Sequence, residues 1–218
     1  EIQLLNIFSQ LTCLGASKKL ALSFTKMEDD NDHRICIVPP LLRKEVFSIQ
    51  ATTGNYIHGY MVNAGFAENV MAWHQRCPET ELRFFWDRKG EKEVKVIDET
   101  LSFHPLDDKA FLKQMSGCKA YASTAGFESV CEAMYLGKPI LMVPAHIEQD
   151  CNAQDAARSG AGIVSDDFDL DRLLRFAGQY KPNPSFRTWV NSAPYVILHA
   201  LEPEPHDLPY LSGQVRMA

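Results

Sequence analysis

The pattern of hydrophobic and polar positions changes near residue 50. Upstream, Ile2, Leu4, Leu5, Ile7, Phe8 and Leu11 recur at the spacing of a helix with a broad apolar side. Residues 20–24 and 35–38 read as two short strands, with the charged run 28–33 turning between them. Pro39 and Pro40 end the second strand, because proline has no ladder donor and biases the residue before it towards extended geometry. The polar, glycine-containing run 50–55 reads as a linker.

Downstream the pattern becomes regular. Strands are predicted at 56–62, 81–86, 94–97, 120–122, 140–143 and 162–164, alternating with helices at 66–76, 107–115, 126–136, 148–159 and 169–177. In the first of these helices Phe66, Val70, Trp73 and His74 share a side, and Pro78 supplies the stop. Gly137, Lys138 and Pro139 close the helix at 126–136, and the wholly apolar strand 140–143 is of the buried parallel kind. One long helix is expected over 185–201, followed by a loose proline-rich tail. Strands alternating with helices of about ten residues predict βαβ units, hence an α/β fold with a Rossmann-like parallel sheet flanked by helices. Such sheets bind ligands beyond the carboxyl ends of their strands. The turns to search are therefore 63–66, 86–91, 103–107, 123–128 and 144–149.

Composition narrows the chemistry. The 218 residues are 45% hydrophobic and 23% charged, ordinary globular usage, and no apolar run reaches the ~18 residues of a membrane span. A net charge of -6 argues against a nucleic-acid binder that tracks the backbone with a basic face. Six cysteines (Cys13, Cys36, Cys77, Cys118, Cys131, Cys151) form no CxxC pair, so they read as reduced structural thiols. Together with the lack of a basic-then-apolar leader after Glu1, this makes a cytoplasmic location the expectation.

Four turns hold polar groups worth weighing. Asn63 to Phe66 opens a helix whose free amides suit an anion or a sugar hydroxyl, although it lacks GxGxxG spacing and equally fits plain scaffold. Ser123 to Ser129 is the strongest: small residues let a ligand approach the backbone, and the helix N-terminus offers N–H groups and partial positive charge to a phosphate. There Thr124 reads either as a ligand contact or as the N-cap. Ser129 and Glu132, three apart, share a helix face, so a hydroxyl can meet phosphate while a carboxylate accepts from two vicinal ribose hydroxyls. Glu148 and Gln149 can accept from and donate to sugar hydroxyls, or serve only the helix dipole; no HExxH spacing appears and no metal is expected. Finally, 103–108 either holds a nucleobase through its backbone, with Phe103 or His104 on the ring, or is a simple helix start.

In this order the turns resemble the donor-binding signature of GT-B UDP-glycosyltransferases. The likeness lies in Gly126, Ser129 and Glu132 on one helix, then Gly137-Lys138-Pro139, a strand ending at Pro144, the Glu148-Gln149 pair and Asn152-Ala153. Plant glucosyltransferases and the peptidoglycan N-acetylglucosaminyltransferase are similar, and bacterial and archaeal members of the superfamily also carry a segment like residues 38–43. The resemblance covers roughly residues 35–180. It implies the C-terminal, donor-binding half of a GT-B fold: 1–50 as remnant of an acceptor domain and linker, 51–182 as donor domain, 183–218 as closing helix and tail.

By that resemblance Gly126 and Ser129, with Thr124 beside them, contact the donor diphosphate, and Glu132 holds the ribose. Glu148 and Gln149 hold the sugar, the loop near Leu106 holds the base, and Asn63 and Gly65 line the cleft. Plant members place His and Asn where this chain has Thr124 and Glu128, and a carboxylate at 128 costs binding unless it points away from the phosphates. The implied activity is metal-independent transfer of a hexosyl group from a nucleotide sugar, UDP-linked, to a hydroxyl on a glycan, lipid or small molecule. The general base then belongs to the acceptor domain. No cofactor, no nucleic acid and no membrane span are expected, and peripheral contact at the inner membrane face falls to the full-length protein. The alternatives are a UDP-sugar epimerase of the same fold and a non-catalytic sugar-nucleotide-binding subunit.

Overall fold

The upstream segment forms α1 (Ile2–Thr12), β1 (Lys19–Leu22), β2 (Ile35–Val38) and a short α2 (Lys44–Ser48) that its five residues gave no periodicity to foresee. β1 and β2 pair in parallel as a separate two-stranded sheet. The computed structural model describes residues 2–62, 64–88, 90 and 92–202.

Downstream follow β3 (Ile57–Met61), a 3₁₀ turn at Ala64–Phe66, α3 (Ala67–Arg76), β4 (Leu82–Trp86), β5 (Lys95–Val96), β6 (Leu101–Pro105) and α4 (Asp108–Gly117). After them come β7 (Ala120–Ser123), α5 (Phe127–Tyr135), β8 (Ile140–Met142), α6 (Ile147–Arg158), β9 (Gly162–Val164), α7 (Leu170–Ala177), α8 (Pro184–Asn191) and α9 (Ala193–Leu201). Seven strands make one sheet in the order β5-β6-β4-β3-β7-β8-β9, every pair parallel except β5–β6.

Strand alternation sends side chains to two cores. Phe85, Tyr121, Ile140 and Met142 face α4, α5, α6 and α8, while Phe84, Phe103 and Leu141 face α3 and α7 with Val70, Trp73, Phe168 and Leu173. Gly59 of β3 sits opposite Phe84, whose ring fills the room the missing side chain leaves: a Cβ at 59 would lie 2.2 Å from it.

Three expectations are corrected. The run 94–97 does not take a place in the parallel array but pairs antiparallel at the edge; the parallel place belongs to β6, whose buried Leu101 and Phe103 alternate with half-exposed Ser102 and His104. Residues 103–105 are consequently strand rather than turn. The single helix over 185–201 is two helices, interrupted at Ser192. Pro194 falls in the first turn of α9, where its missing N–H is harmless, whereas in one continuous helix it would delete a bond. The proline-rich tail lies outside the described residues.

The linker is pinned rather than free. Thr52 N donates to Ser116 O at 2.9 Å and Gly54 N to Gly117 O at 2.8 Å. Buried Lys138 donates to Thr52 O at 2.6 Å and Cys118 O at 2.8 Å, and burial pushes its pKa down. At the far end α9 returns to pack on β2, and Trp189 Nε1 donates to Ser23 O at 2.9 Å.

Candidate donor-binding site

From β3 the chain lays β4 and β6 on one side of the sheet, then crosses back to add β7 on the other. The strand order reverses between β3 and β7, and open α/β sheets take ligands at the crevice beyond that point. Two turns rise there. The 3₁₀ turn after β3 carries exposed Gly65; Asn63 lies outside the described residues.

The β7–α5 turn is built tightly. Fully buried Ser123 accepts from Ala125 N on Oγ at 2.9 Å, which folds the chain back so that Ala125 takes φ 60, a left-handed value few non-glycine residues adopt. Thr124 is 0% exposed; its N donates to Tyr60 O and its hydroxyl accepts from Val62 N at 3.2 Å, stitching β7 to the end of β3. It neither reaches a ligand cleft nor caps α5, which corrects both readings of Thr124. The N-cap is Gly126, with no side-chain cap, so the first amides of α5 have neither an intrahelical nor a capping partner. Gly126 has φ -63, and a Cβ there would meet only Ser129 Oγ, at an ordinary 3.7 Å. Neither backbone conformation nor local packing requires glycine at that position.

In front of α5 opens a cleft of about 460 Å³, walled by Leu41, Leu42 and Arg43, by Tyr60 at the end of β3, by Leu106, Asp107, Asp108 and Phe111, and by Glu128, Ser129 and Glu132. Three of the sequence-derived residues, Leu106, Ser129 and Glu132, thus share one cavity. Ser129 Oγ donates to Gly126 O at 3.1 Å, and exposed Glu128 lines the cleft instead of turning away from it. The Arg43 guanidinium forks onto Glu132, Nε to Oε1 at 2.5 Å and Nη2 to Oε2 at 2.7 Å, while Nη1 reaches Asp108 O at 3.2 Å. That hydrogen bonding to Glu132 raises the Arg43 pKa. Sequence reasoning gave Arg43 no role. Its signal lay in Pro39 and Pro40, which hold the chain extended towards the cleft ahead of the one basic residue among the lining set.

Other expected contacts stand apart. Glu148 is exposed at the start of α6, while Gln149 is buried and its Oε1 accepts from Ala145 N at 2.8 Å, shaping the β8–α6 turn. Neither residue lines the cleft. Phe103 is 1% exposed and stacks on Trp86 in the core, so it cannot meet a base; His104 stacks on Phe85 and bonds Ser102. Leu106, just beyond, is exposed on the cleft wall. Behind the site His58 is fully buried, stacked on Tyr121, with no partner for either ring nitrogen, and desolvation pulls its pKa to about 3. Among the described residues no group of His, Cys, Asp or Glu is arranged to hold a metal ion, and no helix is long and apolar enough to cross a membrane.

A larger cavity, about 710 Å³, opens between β2 and α9 beside Lys18, Arg34 and Trp189. It belongs to the two-stranded sheet, away from the order reversal, and none of the sequence-derived residues lines it. The smaller cleft is therefore the candidate site.

Comparison with known proteins shows the family and the fold. A stretch of 77 residues is 36% identical to a Caenorhabditis elegans protein that carries the name of a UDP-glucuronosyltransferase, ugt-48, covering 34% of this chain and 15% of that one. The solved glycotransferase of kitacinnamycin superposes with a TM-score of 0.56 at 14% identity, over 84% of this chain and 51% of its own, a likeness of fold. The chain thus spans about half the length of that structure. Its parallel sheet flanked by helices is the GT-B glycosyltransferase type of fold. Residues 6–179 match the model of Glycosyl transferase family 1, a span that includes the Arg43 strap, both switch-point turns and the whole seven-stranded sheet, and the chain belongs to that family.

Proposed function

We propose that this chain is the donor half of a glycosyltransferase and binds a nucleoside diphosphate sugar, UDP-linked, in the cleft before α5. The observation that carries this reading is the uncapped N-terminus of α5 at the point where strand order reverses, with a glycine that neither φ nor packing demands. The amides of the first turn of α5 and the Ser129 hydroxyl receive the diphosphate. Glu132 accepts from the ribose hydroxyls, and the chain around Leu106 borders the base. Exposed Glu148, one βα turn over, faces the sugar, with Gln149 shaping that turn from beneath and Gly65 on the β3 side. Thr124 supports this set from behind.

In the transfer, an acceptor hydroxyl oxygen forms a bond to the anomeric carbon while the bond from that carbon to the β-phosphate oxygen breaks. The hydroxyl proton passes to a base on the acceptor side, which the other half of the protein supplies. The electron pair leaves with the diphosphate, and the helix-terminus amides meet that growing charge without a metal ion. The name of the ugt-48 relative supports the uridine assignment, and family membership supports glycosyl transfer.

Gly126→Ala tests the reading. The added methyl meets only an ordinary 3.7 Å contact, so the unfolding free energy stays within about 0.5 kcal/mol of wild type, while UDP affinity by calorimetry falls on the order of tenfold. Unchanged affinity in a folded variant would remove the diphosphate from this helix end.

A further inference from the structure

Glu132 comes to the cleft with both carboxylate oxygens already engaged. It is 5% exposed on α5, and the group that satisfies it arrives from 89 residues upstream, on the strap that Pro39 and Pro40 hold extended. An ionised carboxylate offers about four acceptor sites, and a guanidinium fork uses one on each oxygen. The fork also fixes the plane of the carboxylate, since two parallel N–H···O bonds leave it no freedom to rotate. Arg43 is in turn held by Asp108 O, so its plane is set from a second element. One acceptor site on each Glu132 oxygen remains, on the two edges of a group locked at the cleft wall beside Ser129.

Resting on the donor-site reading above, we infer that Arg43 is a positioning residue for nucleotide recognition: its fork holds Glu132 in an orientation in which the outer acceptor site of one carboxylate oxygen meets the ribose 2′-hydroxyl. The strap thereby couples the segment upstream of the sheet to ribose readout. Without the fork, Glu132 would be a buried carboxylate with rotational freedom and no cation, and a ribose hydroxyl would gain little from it. A lysine at 43 restores charge but only as a point, without the planar fork.

The test is calorimetry of the full chain with UDP and with 2′-deoxy-UDP, alongside thermal melting. Wild type is expected to favour UDP by about tenfold, the worth of a hydroxyl donating to a carboxylate. In Arg43→Gln that preference is expected to fall below about threefold, and in Arg43→Lys to lie between, because only the fork orients Glu132. A purely structural role would weaken both ligands equally and leave their ratio alone. Should Arg43→Gln melt below the assay temperature, Arg43→Lys carries the same comparison. Full discrimination retained in folded Arg43 variants would overturn the role of Arg43 alone. A wild type that binds neither ligand, or both equally, would overturn the ribose assignment and the inference together.

Discussion

Among the described residues the chain forms two sheets, one wholly and one mainly parallel, and they differ in what covers them. In the seven-stranded sheet, β7 and β8 are buried at every position and helices close both faces. In the two-stranded sheet Leu20 and Leu22 remain exposed, and α1, equally apolar in pattern, buries no residue at all, with Leu4 70% and Phe8 64% exposed. Parallel strands are stable when both faces are covered, and a two-stranded sheet has little stability of its own. Periodicity therefore names an element without naming its partner. The difference also bears on the proposed site: a rigid, doubly covered sheet can hold the β3 and β7 turns in fixed relation, which a recognition cleft requires.

Gly59→Ala should widen the contrast most. Its methyl would fall within 2.6 Å of three Phe84 ring atoms in the central strand, and overpacking there is expected to cost about 3 kcal/mol in urea unfolding. A variant as stable as wild type would mean that the sheet yields more readily than its packing implies.

His58 gives the next effect. With a folded pKa of about 3 against 6.5, chiefly from desolvation and next from His104, the unfolded chain binds this proton between those values and the folded chain does not. Stability therefore falls as pH drops below 6.5, at about 1.4 kcal/mol per unit, and is unaffected by this group above it. His58→Phe should reduce the stability difference between pH 7 and pH 5 by about 2 kcal/mol. An unchanged difference would show that the imidazole is not held dry.

Much of this was legible in sequence, and the misses have identifiable causes. Most downstream strands, the helix with Val70, Trp73 and His74 inward, and the shared face of Ser129 and Glu132 follow from period and spacing, whereas Leu106 was reached only through the family resemblance. Thr124 was misassigned because a small hydroxyl residue in a βα turn reads alike whether its oxygen faces ligand or the neighbouring strand; only the Val62 bond decides. β6 was hidden because Pro105 and the two aspartates after it look like a turn, although the strand simply ends there. Arg43 was missed for a different reason: the two prolines before it signal an extended strap, but its partner lies 89 residues away, and no local pattern encodes a pairing of that length.

The smallest effect is expected at the uncovered region. Phe8→Ser in α1 should change the unfolding free energy by no more than about 0.5 kcal/mol, since the side chain is 64% exposed. A larger loss would reveal that α1 is covered in solution, and the contrast between the two sheets would narrow.

The central claim, that a nucleoside diphosphate is received by the amides opening α5, is tested most directly by following backbone amide resonances while UDP is added. The account predicts that Gly126, Phe127 and Ser129 shift earliest and furthest, with Leu106 following. Shifts confined to the cavity between β2 and α9, around Arg34 and Trp189, or no shifts at all, would contradict it.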